Sequence, residues 1–161
     1  MTGLFPASGL IADGTHRLPV RVYYEDTDAG GIVYHAGYLR FFERGRSECL
    51  RLLGIDHAAR QQDPDPRARA GFAVRRVEID YLAPAVLDDA LIISTNIVHV
   101  GAAFVDVRQT VMRDGSCLAR AVLRVALVDW QGRPCRLPAE WRERFENFRR
   151  AALAAAGDEL E

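Results

Sequence analysis

Lysine is absent from this sequence. All 21 basic residues are arginine, and 22 acids oppose them for a formal net charge of −1. Without a basic excess the chain does not read as a dedicated nucleic-acid binder. An all-arginine set still suits the gripping of phosphates or carboxylates. Cysteine is scarce and odd in number. Cys49, Cys117 and Cys135 lie far apart and form no C-x-x-C, which argues against a disulfide framework or a zinc site and fits a reducing compartment. No apolar run reaches the length of a membrane span. The opening "MTGLFPASGLIADG" has no basic start and is broken by Pro6 and Gly9. It reads as a flexible tail over residues 1–14 and not as a signal peptide. Together these absences imply a cytoplasmic protein. What remains is 49% hydrophobic over 161 residues, enough for one buried core. One domain is expected over residues 15–155, with 156–161 as a second tail.

The period of the apolar residues changes along the chain. Residues 17–25, "RLPVRVYYE", put Leu18, Val20, Val22 and Tyr24 on one face, the pattern of a strand with Tyr24 pointing inward. From about 36 to 53 the spacing is helical, with Tyr38, Phe41, Phe42, Gly45, Cys49, Leu52 and Leu53 on one stripe and Gly54 as the stop. Residues 56–70 are polar and proline-broken, hence a loop. Strand patterns then return around Val77–Tyr81, 90–100, Val105–Val111 and Ala119–Leu127, with Asp114-Gly115 as a hairpin signal. A second helix is expected over 138–155, where Trp141, Phe145, Phe148 and Ala152 share a face. Its arginines would suit a membrane surface, but Glu140, Glu143 and Glu146 dilute them, so packing against the sheet or a subunit is the reading, and membrane association is not expected. The simplest way to bury the first helix is against one face of a curved antiparallel sheet, an α+β arrangement.

The stretch between the first strand and that helix, "YYEDTDAGGIVYHAGY", holds Glu25, Asp26 and Asp28, a glycine pair and His35. A carboxylate held just before a helix start joins a base or nucleophile to N–H groups that favour developing negative charge. Gly30 and Gly31 permit a tight turn and close approach to a ligand. An ordinary turn that caps the helix is the alternative on these residues alone. Glu25 should be solvated, and Asp26 should hydrogen-bond nearby backbone N–H groups.

Residues 22–51, "VYYEDTDAGGIVYHAGYLRFFERGRSECLR", resemble the signature of the Tol-Pal-associated acyl-CoA thioesterases, in the 4-hydroxybenzoyl-CoA thioesterase branch of the hot-dog-fold superfamily. "VRRVEIDYLAPAVLDDAL" (74–91) resembles the second block of that family. The resemblance implies a hot-dog fold: a long central helix wrapped by an antiparallel sheet of about five strands, here followed by a C-terminal helix. It implies hydrolysis of an acyl-CoA, or of an acyl group on a carrier protein, with no cofactor. Homodimers or homotetramers with sites at the dimer interface are implied as well. Carried onto this sequence, Asp28 is the catalytic carboxylate, His35 helps hold the carbonyl at the helix entrance, and Tyr24 is a site tyrosine. Gly30, Gly31, Val33, Tyr34 and Tyr38 become substrate contacts, although Tyr38, like Phe41 and Phe42, could equally be core. The Tol-Pal link is one of genetic context.

Other candidates read differently. Glu43 and Glu48 lie on the central helix, where another hot-dog branch carries its carboxylate; here they are expected to pair with neighbouring arginines. Arg75, Arg76, Arg108, Arg120 and Arg124 could meet CoA phosphates, but solvent-facing strand positions are the simpler reading. His16, His57 and His99 have no metal-ligand spacing, so no metal is expected. Cys49 reads as core. No P-loop or Rossmann glycine spacing is present, so CoA would enter only as substrate. A non-catalytic acyl-binding module and a hot-dog hydratase or dehydratase are the rival functions.

Overall fold

Alternating apolar side chains on three long strands, over 90–100, 104–113 and 116–129, are buried on one face of a sheet that a helix covers. The computed structural model describes residues 6–158. Its elements are β1 (Leu10–Ala12), β2 (Thr15–Arg21), α1 (Gly37–Leu52), α2 (His57–Gln61), β3 (Ala70–Tyr81), β4 (Ala90–Val100), β5 (Phe104–Arg113), β6 (Ser116–Asp129) and α3 (Ala139–Asp158). The strands form one antiparallel sheet in the order β1-β2-β4-β5-β6-β3. Leu91 and Ile93 of β4, Val107 and Val111 of β5, and Ala121 and Leu123 of β6 are buried on the face that meets α1. From the helix, Tyr38, Phe41, Phe42, Gly45 and Cys49 fill the space. The long helix wrapped by a sheet, with a helix after it, is thus present as expected.

Gly45 sets how closely helix and sheet approach. A Cβ there would lie 2.9 Å from Ile93 Cγ2 and 3.1 Å from Gln109 Nε2. Gln109 itself is fully buried on the inner face of β5. Its amide donates to the Phe42 carbonyl and to Thr95 Oγ1, both at 2.9 Å, and accepts from Arg46 Nη1 at 2.9 Å. A buried amide without such partners would be costly.

The sheet has six strands, not about five. The additional one, β1, falls inside the expected tail and pairs with β2 across a two-residue Asp13-Gly14 turn with φ of 53° and 63°. Asp-Gly is the same hairpin chemistry read at 114–115, but the strand before it has only three residues. The rest of the tail reading, over residues 1–5, lies outside the described residues. At the other end α3 runs on to Asp158, so the expected 156–161 tail begins as helix, and 159–161 lie outside the described residues.

Two local readings are corrected. β2 stops at Arg21 and does not run to 25, because Tyr24–Asp26 form a 3-10 turn. The Asp26 carboxylate accepts the Tyr23 N–H at 2.8 Å, a local bond that competes with the sheet ladder. Tyr24 therefore does not share the inward phase of Leu18 and Val22; it is 81% exposed. The 56–70 loop contains α2, capped by Asp56, which accepts the Ala59 N–H at 2.9 Å. The stripe on α1 also ends sooner than expected, with Leu52 exposed.

α3 packs against the sheet. Phe145 and Phe148 are buried, and Trp141 stacks on Phe72 of β3 at 5.8 Å. No described helix is long and apolar enough to cross a membrane. β3 lies at one edge of the sheet, with Val74, Val77 and Tyr81 exposed.

Candidate functional site

The loop between β2 and α1 closes on itself through its backbone. The Tyr34 N–H donates to the Asp26 carbonyl at 2.9 Å, and the Asp28 N–H to the Ile32 carbonyl at 2.9 Å. Thr27 and Val33 bridge between them. At the tip, the Gly31 N–H returns to the Asp28 carbonyl at 3.0 Å, and Gly31 has a φ of +79° that favours glycine. The Gly30 N–H donates to Asp28 Oδ1 at 2.8 Å. A Cβ on Gly30 would sit 3.1 Å from that oxygen. Asp28 is exposed, and its Oδ2 has no hydrogen-bond partner among the described residues. The carboxylate is thus aimed by one oxygen and open at the other.

The base of the loop is tied to the segment after β3. The Val33 N–H donates to the Ala85 carbonyl at 2.8 Å, and Ile32 bridges Val86. Tyr81 Oη donates to the His35 carbonyl at 2.8 Å. α1 then begins with the Gly37 N–H donating to the Tyr34 carbonyl at 2.7 Å, and no side chain caps it. The N–H groups of His35, Ala36 and Tyr38 have no partner among the described residues. Helix starts carry such donors and a positive dipole end, so this one can receive a developing oxyanion.

The expected site residues divide accordingly. Asp28, Gly30, Gly31, Tyr34 and His35 are exposed around the loop and helix entrance. Tyr24 is exposed on the turn before them. Val33 and Tyr38 are 2% and 3% exposed and sit in the core beneath the loop. The Tyr38 hydroxyl accepts the Ala85 N–H at 3.1 Å. Glu25 is solvent-exposed, and Asp26 holds backbone as expected.

A cavity of about 250 Å³ lies between the later turns of α1, α2 and the sheet. Leu50, Leu53, Phe72, Ile97, Val107 and Phe145 make its apolar walls. Glu43, Arg46, Ser47 and His57 form its polar side. The sequence gives no sign of it, since its walls come from seven separate elements. Ser47 Oγ donates to Glu43 Oε1 at 2.6 Å, so Glu43 takes a hydroxyl and not the expected arginine. Glu48 does pair with Arg51, at 2.6 Å. Burial alone would raise the Glu48 pKa, but hydrogen bonds from Ser8 and Arg51 and the charges of Arg51 and His16 hold it below the ordinary carboxylate value. Burial pushes the Arg46 guanidinium below its ordinary value while the Glu43 charge opposes that. Val74 lines the cavity and Tyr81 meets His35; they are seven steps apart along the strand, about 23 Å at 3.3 Å per residue. Within one chain the cavity and the Asp28 loop are therefore at opposite ends of β3.

Several of the remaining candidates are engaged in structural contacts. Arg120 pairs with Asp80 at 3.0 Å, Arg124 grips Asp106 through two bonds of 2.8 Å, and Arg76 pairs with Glu78. Three of the five strand arginines are thus engaged by acids across or along the sheet. Burial raises the Cys49 thiol to about 12, so it is no nucleophile at neutral pH. Among the described residues no cluster of His, Cys, Asp and Glu could hold a metal ion.

Comparison with known proteins agrees with this architecture. A family described as the thioesterase-like superfamily matches residues 22–145. The acyl-CoA thioesterase YbgC of Haemophilus influenzae is 41% identical over 138 residues, covering 85% of this chain and 98% of that protein. The acyl-CoA thioester hydrolase YbgC of Escherichia coli is 45% identical over 114 residues, covering 70% and 81% respectively. Among solved structures, a probable thioesterase from Bartonella henselae superposes with a TM-score of 0.73 at 40% identity, covering 77% of this chain and 99% of that one.

Proposed function

We infer that this chain, which belongs to the thioesterase-like superfamily, hydrolyses an acyl-CoA thioester to a free acid and CoA. One observation carries the residue-level reading. Asp28 is held through Oδ1 by the Gly30 N–H, on the loop that leads into α1, where the N–H groups of His35, Ala36 and Tyr38 have no partner among the described residues. The thioester oxygen would sit against those donors, which stabilise the charge that grows on it during attack. Asp28 Oδ2 would take a proton from water as the water oxygen bonds to the carbonyl carbon. Collapse of the tetrahedral species expels the CoA thiolate, which then takes up a proton. In the covalent variant Asp28 itself attacks and the C–S bond breaks, expelling the CoA thiolate and leaving a mixed anhydride that water hydrolyses to the free acid and Asp28. In this reading the exposed His35 ring would contact the carbonyl, and Tyr24 and Tyr34 would border its entrance.

An open strand edge suggests how the cavity joins this chemistry. Antiparallel pairing of β3 with β3 of a second copy would bring one copy's Phe72 and Val74 toward the other's Tyr81 and His35. The acyl group would then enter the neighbour's cavity. A cavity of roughly 150 Å³ accepts benzene, so the 250 Å³ here suits a substituted ring or a chain of moderate length. A homodimer or homotetramer in the cytoplasm is the matching assembly.

A second reading rests on Glu43, whose carboxylate lines that cavity next to Ser47. It would move the base onto α1.

A thiol-release assay over short, long and aromatic acyl-CoAs, with the same acyl groups on a carrier protein in parallel, tests the hydrolysis reading. Turnover of at least one thioester well above background is the expected result. No thiol release from any of them contradicts it, and tight binding without release would instead favour a non-catalytic module.

A further inference from the structure

Tyr81 is the last residue of β3, and its hydroxyl reaches across the fold to the His35 carbonyl at 2.8 Å. A trans peptide unit is planar, with its C=O and N–H pointing in opposite directions. Fixing the His35 oxygen therefore fixes the direction of the Ala36 N–H. That N–H is one of the donors at the start of α1 without a partner among the described residues. We propose that Tyr81 is a positioning residue for the oxyanion site: by holding the His35 carbonyl it aims the Ala36 N–H at the thioester oxygen. The inference rests on the hydrolysis reading above.

Four features support this role. The Tyr81 ring is held edge-on by Tyr38 at 5.4 Å and by His35 at 6.4 Å. Tyr38 is in turn fixed in the core through the Ala85 N–H, so the phenol has little freedom to swing away. A hydrogen bond onto the carbonyl also polarises the peptide and strengthens its N–H as a donor. Burial, and after it the Tyr38 phenol, push the Tyr81 hydroxyl above its ordinary value. It therefore stays a protonated donor across the neutral range. Tyr81 is 46% exposed, so filling the core is not its main contribution.

The test compares wild type with Tyr81→Phe on the acyl-CoA that wild type hydrolyses best. The expected result is a fall in kcat of about tenfold, the scale of one neutral hydrogen bond. KM should stay within about twofold. A CoA-linked trifluoromethyl ketone, bound as its oxyanion-like hydrate, should lose affinity about as much as kcat falls. A ground-state thioether of CoA should bind both proteins alike. If Tyr81→Phe does not fold, O-methyltyrosine at position 81 removes the donor while keeping the ring and oxygen, and the same pattern is expected. Unchanged kcat overturns the proposal, as do equal losses for ketone and thioether, which would mark a merely structural role. Failure of wild type to release thiol overturns the hydrolysis reading and this inference together. Hydrolysis by wild type with an unaffected variant overturns this inference alone.

Discussion

The Asp28 carboxylate accepts the Gly30 N–H through Oδ1 at 2.8 Å, and Oδ2 has no partner among the described residues. One oxygen fixes the group and the other is left for chemistry on an exposed residue. That division of labour within a single side chain depends on the glycines beside it.

Gly31→Ala places a Cβ at a φ of +79°, although nothing lies within 4 Å of it. The cost is backbone strain without a clash, about 1–2 kcal/mol. Thermal unfolding should show that loss, and kcat should fall as the Asp28 turn relaxes. A variant as stable and as active as wild type would show that the left-handed conformation is not needed.

Asp26 is 7% exposed, and its carboxylate holds the Tyr23 N–H. Asp26→Ala leaves that donor without its partner and should cost about 1–3 kcal/mol. Chemical denaturation would measure it. Asp26→Asn keeps an acceptor oxygen and should restore part of the loss; equal losses in both variants would contradict the assignment.

Asp106 is held below the ordinary aspartate value first by the Arg124 hydrogen bonds, with burial opposing and the Arg124 charge adding to the shift. A depressed folded-state pKa contributes stability above the unfolded value, about 3.9. That contribution is lost as pH falls through the folded value. Asp106→Asn should therefore lower stability at pH 7, and the gap to wild type should close below about pH 4. Arg124 is partly exposed, so salt should shrink the effect. Denaturant midpoints across pH test this, and a gap that widened toward acid would contradict it.

Much of the scaffold was legible because burial follows period. Leu91 and Ile93, Val105 and Val107, and Ala121 and Leu123 recur two apart, Tyr38, Phe41, Phe42 and Cys49 fall on one helical stripe, and each is buried where its phase puts it. Tyr24 was misread because alternation cannot report a side chain that redirects the backbone, as Asp26 does at Tyr23. β1 was hidden in a run too short to show a period. The resemblance named Asp28 and His35, and the structure places both at the loop and helix entrance. The cavity was not legible at all, since Glu43, Phe72, Ile97 and Phe145 meet only through tertiary packing. The same holds for the bond from Tyr81 to His35, which spans 46 positions.

The most direct test of the central claim is kcat for Asp28→Asn beside Glu43→Gln, both verified as folded. Asp28→Asn keeps the shape but removes the charge and basicity, so kcat should fall roughly 10²–10⁴-fold, or about 3–5 kcal/mol of barrier. KM should change far less, because the helix N–H groups remain. Glu43→Gln should be nearly silent. Asp28→Asn within about threefold of wild type, with Glu43→Gln losing the activity, would contradict the account and place the chemistry on α1.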